Sequence, residues 1–257
     1  MYYYILDIKK FKKHSVVEDI KNYLSVLGIS GEYAYPSAAY TTEDLVELGI
    51  SKKYNTIVAI GDDNLVNTVA GKLCGRPEAL GVIPIDASSD LCDLIGSKAW
   101  KDAADNLRFR VLQEIKIGKT TNGKVFLTSI NLGVSHPTEV TIEVKDFIIQ
   151  AKVAELMISN FNPTVTKLDL DFLDIIFRST NPKDIAFLSK IGSFFGAKKQ
   201  NDNDLSLIRA RSLRLFTSNQ IPLLSGNDTV AKTPQLIEVS DDLLRIIVGK
   251  KSLYKIY

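Results

Sequence analysis

The sequence predicts an α/β N-terminal domain, with a parallel sheet and helices on both faces, followed by a C-terminal antiparallel β-sandwich domain. Three observations carry this prediction. β-branched apolar runs alternate with amphipathic segments through about the first 110 residues, the pattern of βαβ units. One run, Thr56-Ile57-Val58-Ala59-Ile60, ends abruptly in Gly61-Asp62-Asp63-Asn64, and Leu65, Val69 and Leu73 follow at spacings of four. That is a buried strand, a tight turn and a helix. After Arg110 the chain changes to short strand-like runs divided by turn signals such as Asn122-Gly123 and Asn181-Pro182. The boundary therefore falls near 110, giving domains 1–110 and 111–257, with the last residues free to return to the first.

The elements follow in order. Tyr2 to Ile8 reads as a strand, and Lys9 to His14 as a basic turn holding four lysines. Ser15 is a candidate cap for a helix with Val16, Ile20, Tyr23, Leu24 and Leu27 on one face, stopped at Gly28. Glu32 to Tyr35 is a weak strand ended by Pro36, and Thr41 or Thr42 starts a helix through Leu45 and Leu48. The central strand, turn and helix run on to Gly75-Arg76-Pro77. Leu80 to Ile85 is the next strand, Asp86-Ala87-Ser88-Ser89-Asp90 a polar turn, and helices follow at Leu91 to Ile95 and Trp100 to Phe109. Beyond Arg110, strands are expected at Val111–Ile117, Val125–Leu132, Glu139–Val144, Phe147–Ala154 and Leu168–Phe177. A helix is expected over Asp184 to Gly196, then a solvated loop over Lys198 to Asp204. Strands resume at Ala210–Phe216, Pro222–Leu224, Gln235–Val239 and Leu244–Val248.

Composition narrows the function. A formal charge of +2 and the lack of aromatic–basic interleaving argue against a nucleic-acid partner. No apolar run approaches the length that spans a bilayer, and the first residues lack the pattern of a secretory signal, so a cytoplasmic protein is expected. Cys74 and Cys92 have no metal-site spacing, and no metal ligand set is read from the sequence. His14 and His136 have no partner at catalytic spacing. In open α/β sheets, ligands bind outside the carboxyl ends of the strands, and a helix N-terminus there favours anions. The Gly61 turn is thus the candidate site. Asp62-Asp63 has two readings, a pair that coordinates a cation or phosphate, and a cap for a helix beginning at Asn64 or Leu65. Asp86 and Asp90 divide in the same way, with capping sufficient to explain them.

These residues, taken in order, resemble the diacylglycerol kinase-like lipid kinases, which share a fold with NAD kinases and include sphingosine kinases. The family pattern is a strand ending in Gly-Gly-Asp-Gly-Thr with Asn-Glu-Val on the next helix; here it reads Gly61-Asp62-Asp63-Asn64-Leu65 and Asn67-Thr68-Val69. A Gly-Ile-Ile-Pro strand followed by Gly-Thr-Gly-Asn-Asp is matched by Gly81-Val82-Ile83-Pro84 and Asp86-Ala87-Ser88-Ser89-Asp90. The family threonine before the second helix is matched by Thr41 or Thr42. Asp171-Phe172-Leu173-Asp174 is similar to Asp-Gly-x-Leu-Asp, one position shorter, and Ala210 to Leu215 resembles the stretch before the family's Asp-Gly-Glu, which is replaced by Ser225-Gly226-Asn227. The resemblance covers nearly the whole chain. It implies an α/β nucleotide-binding domain, a β-sandwich, an active cleft between them, and transfer of a phosphoryl group from ATP, with Mg²⁺, to a lipid hydroxyl. It implies Asp63 as catalytic carboxylate and Gly61, Asp62, Asn64, Asn67, Ser88, Ser89 and Thr41 as nucleotide-site residues.

The departures bear on chemistry. Glycines let backbone N–H groups approach phosphate oxygens without an intervening Cβ. Asp62, Asn64, Asp86 and Ser88 replace four of them, and Asp62 adds a carboxylate beside Asp63. Asp and Asn tolerate left-handed backbone geometry best after glycine, so the turn is expected to keep its shape. Neither Ser225 nor Asn227 can act as a general base at neutral pH, which leaves Asp228 as the candidate substitute. Arg209 and Arg211 share a strand face, expected to meet solvent or a lipid headgroup. Lys9, Lys10, Lys12 and Lys13 read as a solvated loop, or as a contact to an anionic membrane surface with a lipid substrate. Two functions follow: an ATP-dependent lipid kinase on a diacylglycerol-like alcohol, and a pseudokinase that binds nucleotide or lipid without turnover. An NAD kinase-like activity ranks below both, and a homodimer is left open.

Overall fold

The structure, a computed structural model, describes residues 1–8, 14–161, 171–180, 186–189, 205–250 and 252. The expected basic loop of Lys9, Lys10, Lys12 and Lys13 and the loop of Lys198 to Asp204 lie outside them. The chain forms two units, Met1–Ile115 joined by the chain from Asp242 onward, and Lys116–Asp241.

The first unit runs β1 (Tyr2–Leu6), α1 (His14–Val26), β2 (Gly31–Ala34), α2 (Thr42–Ser51), β3 (Thr56–Gly61), α3 (Asp63–Leu73), β4 (Ala79–Pro84), α4 (Ser89–Ile95), α5 (Trp100–Phe109) and β5 (Leu112–Ile115). The second holds β6 (Gly118–Thr120), β7 (Val125–Phe126), β8 (Ser129–Leu132), β9 (Thr138–Glu143), β10 (Phe147–Ser159), β11 (Leu173–Ser179), β12 (Ala186–Ser189), β13 (Leu205–Ala210), β14 (Ser212–Thr217), β15 (Pro222–Ser225), β16 (Asp228–Lys232) and β17 (Gln235–Val239). The chain then returns to the first unit as β18 (Leu244–Ile247).

Among the described residues the first sheet has the order β2-β1-β3-β4-β18-β5. Its first four strands are mutually parallel, β18 is parallel to β4, and β5 is antiparallel to β18. Every residue of β3 and β4 is buried, as continuous apolar runs in a sheet covered on both faces require. Their register sets Thr56 opposite Ala79 and Gly61 opposite Pro84, so the two strands end together. α5 packs closely on β4: a Cβ on Gly81 would lie 2.6 Å from Leu107 Cδ2 and 2.9 Å from Val58 Cγ2. That glycine serves packing.

The second unit is antiparallel, and among the described residues its strands join in one hydrogen-bonded sheet. β10 pairs with β8, β9, β11 and β12 along its length. Phe126, Ile142, Ile149, Val153, Ile175, Phe177 and Leu215 fill the core. Period-2 alternation supplies these inward side chains.

Two local expectations are corrected. The helix read over Asp184 to Gly196 is a strand where it is described: Ala186 to Ser189 pair antiparallel with β10. A short apolar run carries no period that separates the two forms, and the long edge of β10 decides. Ser15 does not cap α1, which already begins at His14.

Gly81→Ala is expected to destabilise the protein by about 1–3 kcal/mol through overpacking against Leu107 and Val58. Urea unfolding of the two proteins measures this.

Candidate functional site

The parallel strands of the first sheet place their carboxyl ends on one edge. The turns after β2, β3 and β4 open there, and each leads into a helix. Each helix start carries amides without an intrahelical acceptor. How those amides are satisfied decides what the edge can do.

After β3, Asp62 is the N-cap of α3, with φ −84° and ψ 178°. Its Oδ1 accepts from the Leu65 amide at 3.1 Å, while its carbonyl accepts from the Val66 amide. Capping, one of the two readings of Asp62, is therefore part of its role, and the helix begins at Asp63 rather than at Asn64 or Leu65. Asp63 is buried, with 8% of its surface exposed. Its Oδ2 accepts from the Ser88 amide at 2.7 Å and its Oδ1 from the Ser88 hydroxyl at 2.6 Å. Ser88 is in turn the N-cap of α4, where its Oγ accepts from the Leu91 amide at 3.2 Å. One hydroxyl thus caps a helix and fastens the β3 turn to the β4 turn. Asp86 and Asp90 are not the cap residues of α4. Asp86 instead holds a left-handed backbone, φ 53°.

Of the other expected nucleotide-site residues, Gly61 ends β3, and a Cβ there would meet Leu65 Cδ2 at 2.8 Å, so the Leu65 side chain fills that space. Asn67 is buried on α3 four residues after Asp63, hence on the same helix face. Asn64 and Ser89 are exposed in the first turns of α3 and α4. Thr41 closes α2 with a capping box: its Oγ1 accepts from the Asp44 amide at 3.1 Å, and Asp44 Oδ2 accepts from the Thr41 amide at 2.9 Å. That backbone hydrogen bond holds the Asp44 carboxyl below its ordinary range. Burial, then the charges of Asp93 and Asp63, push the Asp90 carboxyl up. Burial, followed by the same two charges, pushes the Cys92 thiol up as well. Among the described residues, no group of three or more His, Cys, Asp or Glu side chains is placed to hold a metal ion.

Asp228, the candidate substitute base, belongs to the second unit. It opens β16 directly opposite Ser225, across the two-residue turn Gly226-Asn227. Gly226 takes φ 58°, as the first central position of a type II′ hairpin requires. Ser225 is buried and Asn227 exposed. In the same unit Asp174 lies opposite Arg209, whose Nε donates to its Oδ1 at 2.7 Å. Arg211 pairs with Asp241 at 2.5 Å. The Lys116 ammonium donates to Asp171 and holds that carboxyl below its ordinary range. Both arginines are exposed, as expected of a solvent face, and both are engaged in ion pairs. Lys116 and the Ser88 link went unread in the sequence, because each joins residues far apart along the chain with no motif to signal it.

No family model and no curated protein matches the sequence. Solved structures do match. A diacylglycerol kinase from Bacillus anthracis str. Sterne aligns over 97% of both chains with a TM-score of 0.73 at 19% identity. Two further structures from that organism bear the diacylglycerol kinase name provisionally. One has a TM-score of 0.75 at 17% identity over 97% of both chains. The other has 0.74 at 16% identity, over 96% of this chain and 97% of that one. The chain has a diacylglycerol kinase-like fold. On this fold, the turns after β3 and β4 are the Gly61 and Asp86 turns, and Asp63 and Ser88 tie them together. No helix among the described residues is long and apolar enough to cross a membrane.

Asp63→Ala is expected to cost about 2–4 kcal/mol, since two hydrogen bonds to a buried carboxylate are lost. Ser88→Ala is expected to couple with it, the double variant losing less than the sum of the single ones; denaturant unfolding of all four proteins completes the cycle. Asp90 yields a pH signature. A carboxyl raised in the folded state binds its proton more tightly there, so its contribution to stability falls as pH rises from the unfolded value of about 3.9 through the raised folded value. Asp90→Asn removes that dependence. Its stability relative to the parent protein is expected to rise across this window and then level off, as urea titrations at a series of pH values measure.

Proposed function

We propose that this is a catalytically impaired protein of the lipid-kinase fold, one that holds a lipid alcohol or a nucleotide without passing a phosphoryl group between them. The lipid class comes from the fold and from the name carried by the Bacillus anthracis structures. The impairment rests on a single observation: both oxygens of Asp63 are hydrogen-bonded to Ser88.

A general base must present a lone pair to the proton it removes, within about 2.6–3.2 Å. Asp63 directs its carboxylate into the β4 turn, where the Ser88 hydroxyl and amide donate to it at 2.6 and 2.7 Å. A substrate hydroxyl would have to compete with Ser88 for these two oxygens. The residues at the family's second acidic site give no replacement in kind, since Ser225 and Asn227 do not ionise at neutral pH. Asp228 is the first residue of a hairpin strand, a position fully explained by that hairpin.

ATP with Mg²⁺ fits these turns poorly. The Leu65 and Ser88 amides already donate to the protein's own carboxylates. The decisive test is transfer from labelled ATP, with Mg²⁺, to mixed-lipid vesicles containing diacylglycerol. No labelled lipid above the level of an Asp63→Asn control is expected. Labelled lipid that disappears in that control would overturn the proposal and establish a kinase.

A further inference from the structure

We infer that the segment after β18 is a strap on the candidate site: Gly249 and Ser252 hold α4 from behind, and through α4 they hold the Ser88 clasp on Asp63. The last four carbonyls of a helix have no partner within it. In α4 these belong to Cys92, Asp93, Leu94 and Ile95. The local turn satisfies two of them, the Gly96 amide donating to the Asp93 carbonyl at 3.2 Å and the Ser97 amide to the Cys92 carbonyl at 2.9 Å. The other two are satisfied from beyond β18. The Gly249 amide donates to the Ile95 carbonyl at 2.8 Å, and the buried Ser252 hydroxyl to the Leu94 carbonyl at 2.7 Å. The Ser252 amide closes back on the Gly249 carbonyl at 2.9 Å, so the two contacts belong to one turn. Gly249 is pressed close, since a Cβ there would lie 2.2 Å from Nδ2 of Asn106 on α5, which itself donates to Ser97 Oγ.

α4 has 7 residues, too few to persist by its own hydrogen bonds, since isolated helices shorter than roughly 12–15 residues are marginal in water. Its order therefore depends on its two ends and on the buried Leu91, Leu94 and Ile95. At the front end Ser88 accepts from the Leu91 amide and donates to both Asp63 oxygens. At the back end stand Gly249 and Ser252. With about two helical turns between them, the ends loosen together. Drawing the segment off α4 takes the donors from two carbonyls and opens the helix on which the Ser88 cap depends.

The test is native-state amide hydrogen exchange of the full chain, followed by NMR, with thermal melts to verify that each variant folds. Ser252→Ala is expected to speed exchange at the Ser88 and Leu91 amides by about tenfold, the effect of one lost hydrogen bond to a helix carbonyl. The Val58 and Ile60 amides of β3 are expected to keep their parent rates. Gly249→Ala displaces the same turn through its clash with Asn106 while keeping the Ser252 hydroxyl, and is expected to act alike. Coupling is reciprocal, so Ser88→Ala is expected to speed exchange of the Gly249 amide by a similar factor. Unchanged Ser88 and Leu91 rates in either folded variant would overturn the inference. So would an equal rise at Val58 and Ile60, or a Gly249 amide indifferent to Ser88→Ala. The coupling does not depend on whether the protein phosphorylates lipid, so it and the impaired-kinase proposal fail separately.

Discussion

A carboxyl group removed from water must find hydrogen-bond partners in place of the lost hydration. Asp63 meets that condition with one residue, Ser88, which supplies an amide at 2.7 Å and a hydroxyl at 2.6 Å. Because the same hydroxyl accepts from Leu91, the placement of the Asp63 carboxyl, the conformation of the β4 turn and the start of α4 depend on one another. The parallel register makes this possible, since Gly61 and Pro84 end opposite each other and the Ile85 amide donates to the Gly61 carbonyl at 2.9 Å. The two turns are joined as one unit through the Asp63 side chain.

The same logic extends along the sheet edge. Helix starts leave donors that something must satisfy, whether ligand, water or side chain. Here Thr41, Asp62 and Ser88 cap α2, α3 and α4 from within the chain. Such caps contribute about 0.5–2 kcal/mol each. A turn that leaves its amides for a ligand forgoes that gain until the ligand arrives. At this edge the chain itself supplies an acceptor for one amide at each of the three helix starts.

Much of this was legible in the sequence. The change from a continuous β-branched run to spacings of four located β3, the turn and α3 to within about two residues, because a strand covered on both faces is apolar throughout whereas a helix that buries one face shows a period. The sequence placed the start of α2 at Thr41 or Thr42, and the structure makes Thr41 the cap, with Asp44 three residues on as its partner. What escaped notice was the pairing between turns. Asp63 and Ser88 are 25 residues apart, and their contact exists only once β3 and β4 are in register. Arg209 illustrates the same limit: alternation assigned its face, whereas its ion pair depends on the register of β13 against β11. Residues 186–189 show a third kind of failure, in which a short apolar segment takes its form from the strand edge it meets.

The four positions at which the resembled pattern has glycine divide by backbone angle. Asp62 has φ −84° and Ser88 φ −65°, and Asn64 lies within α3; any residue adopts these conformations. Asp86 alone of the four takes a left-handed φ, 53°, and it is of a residue type that accepts that geometry with little strain. The fold therefore required no glycine at three of the four positions, and its demand at the fourth was met by aspartate. What glycine supplies at the other three is an absent side chain, room for something to approach the backbone. A side chain there leaves the architecture intact, so a chain that departs from the resembled pattern in its turns still shares the fold of the diacylglycerol kinase structures across nearly its whole length.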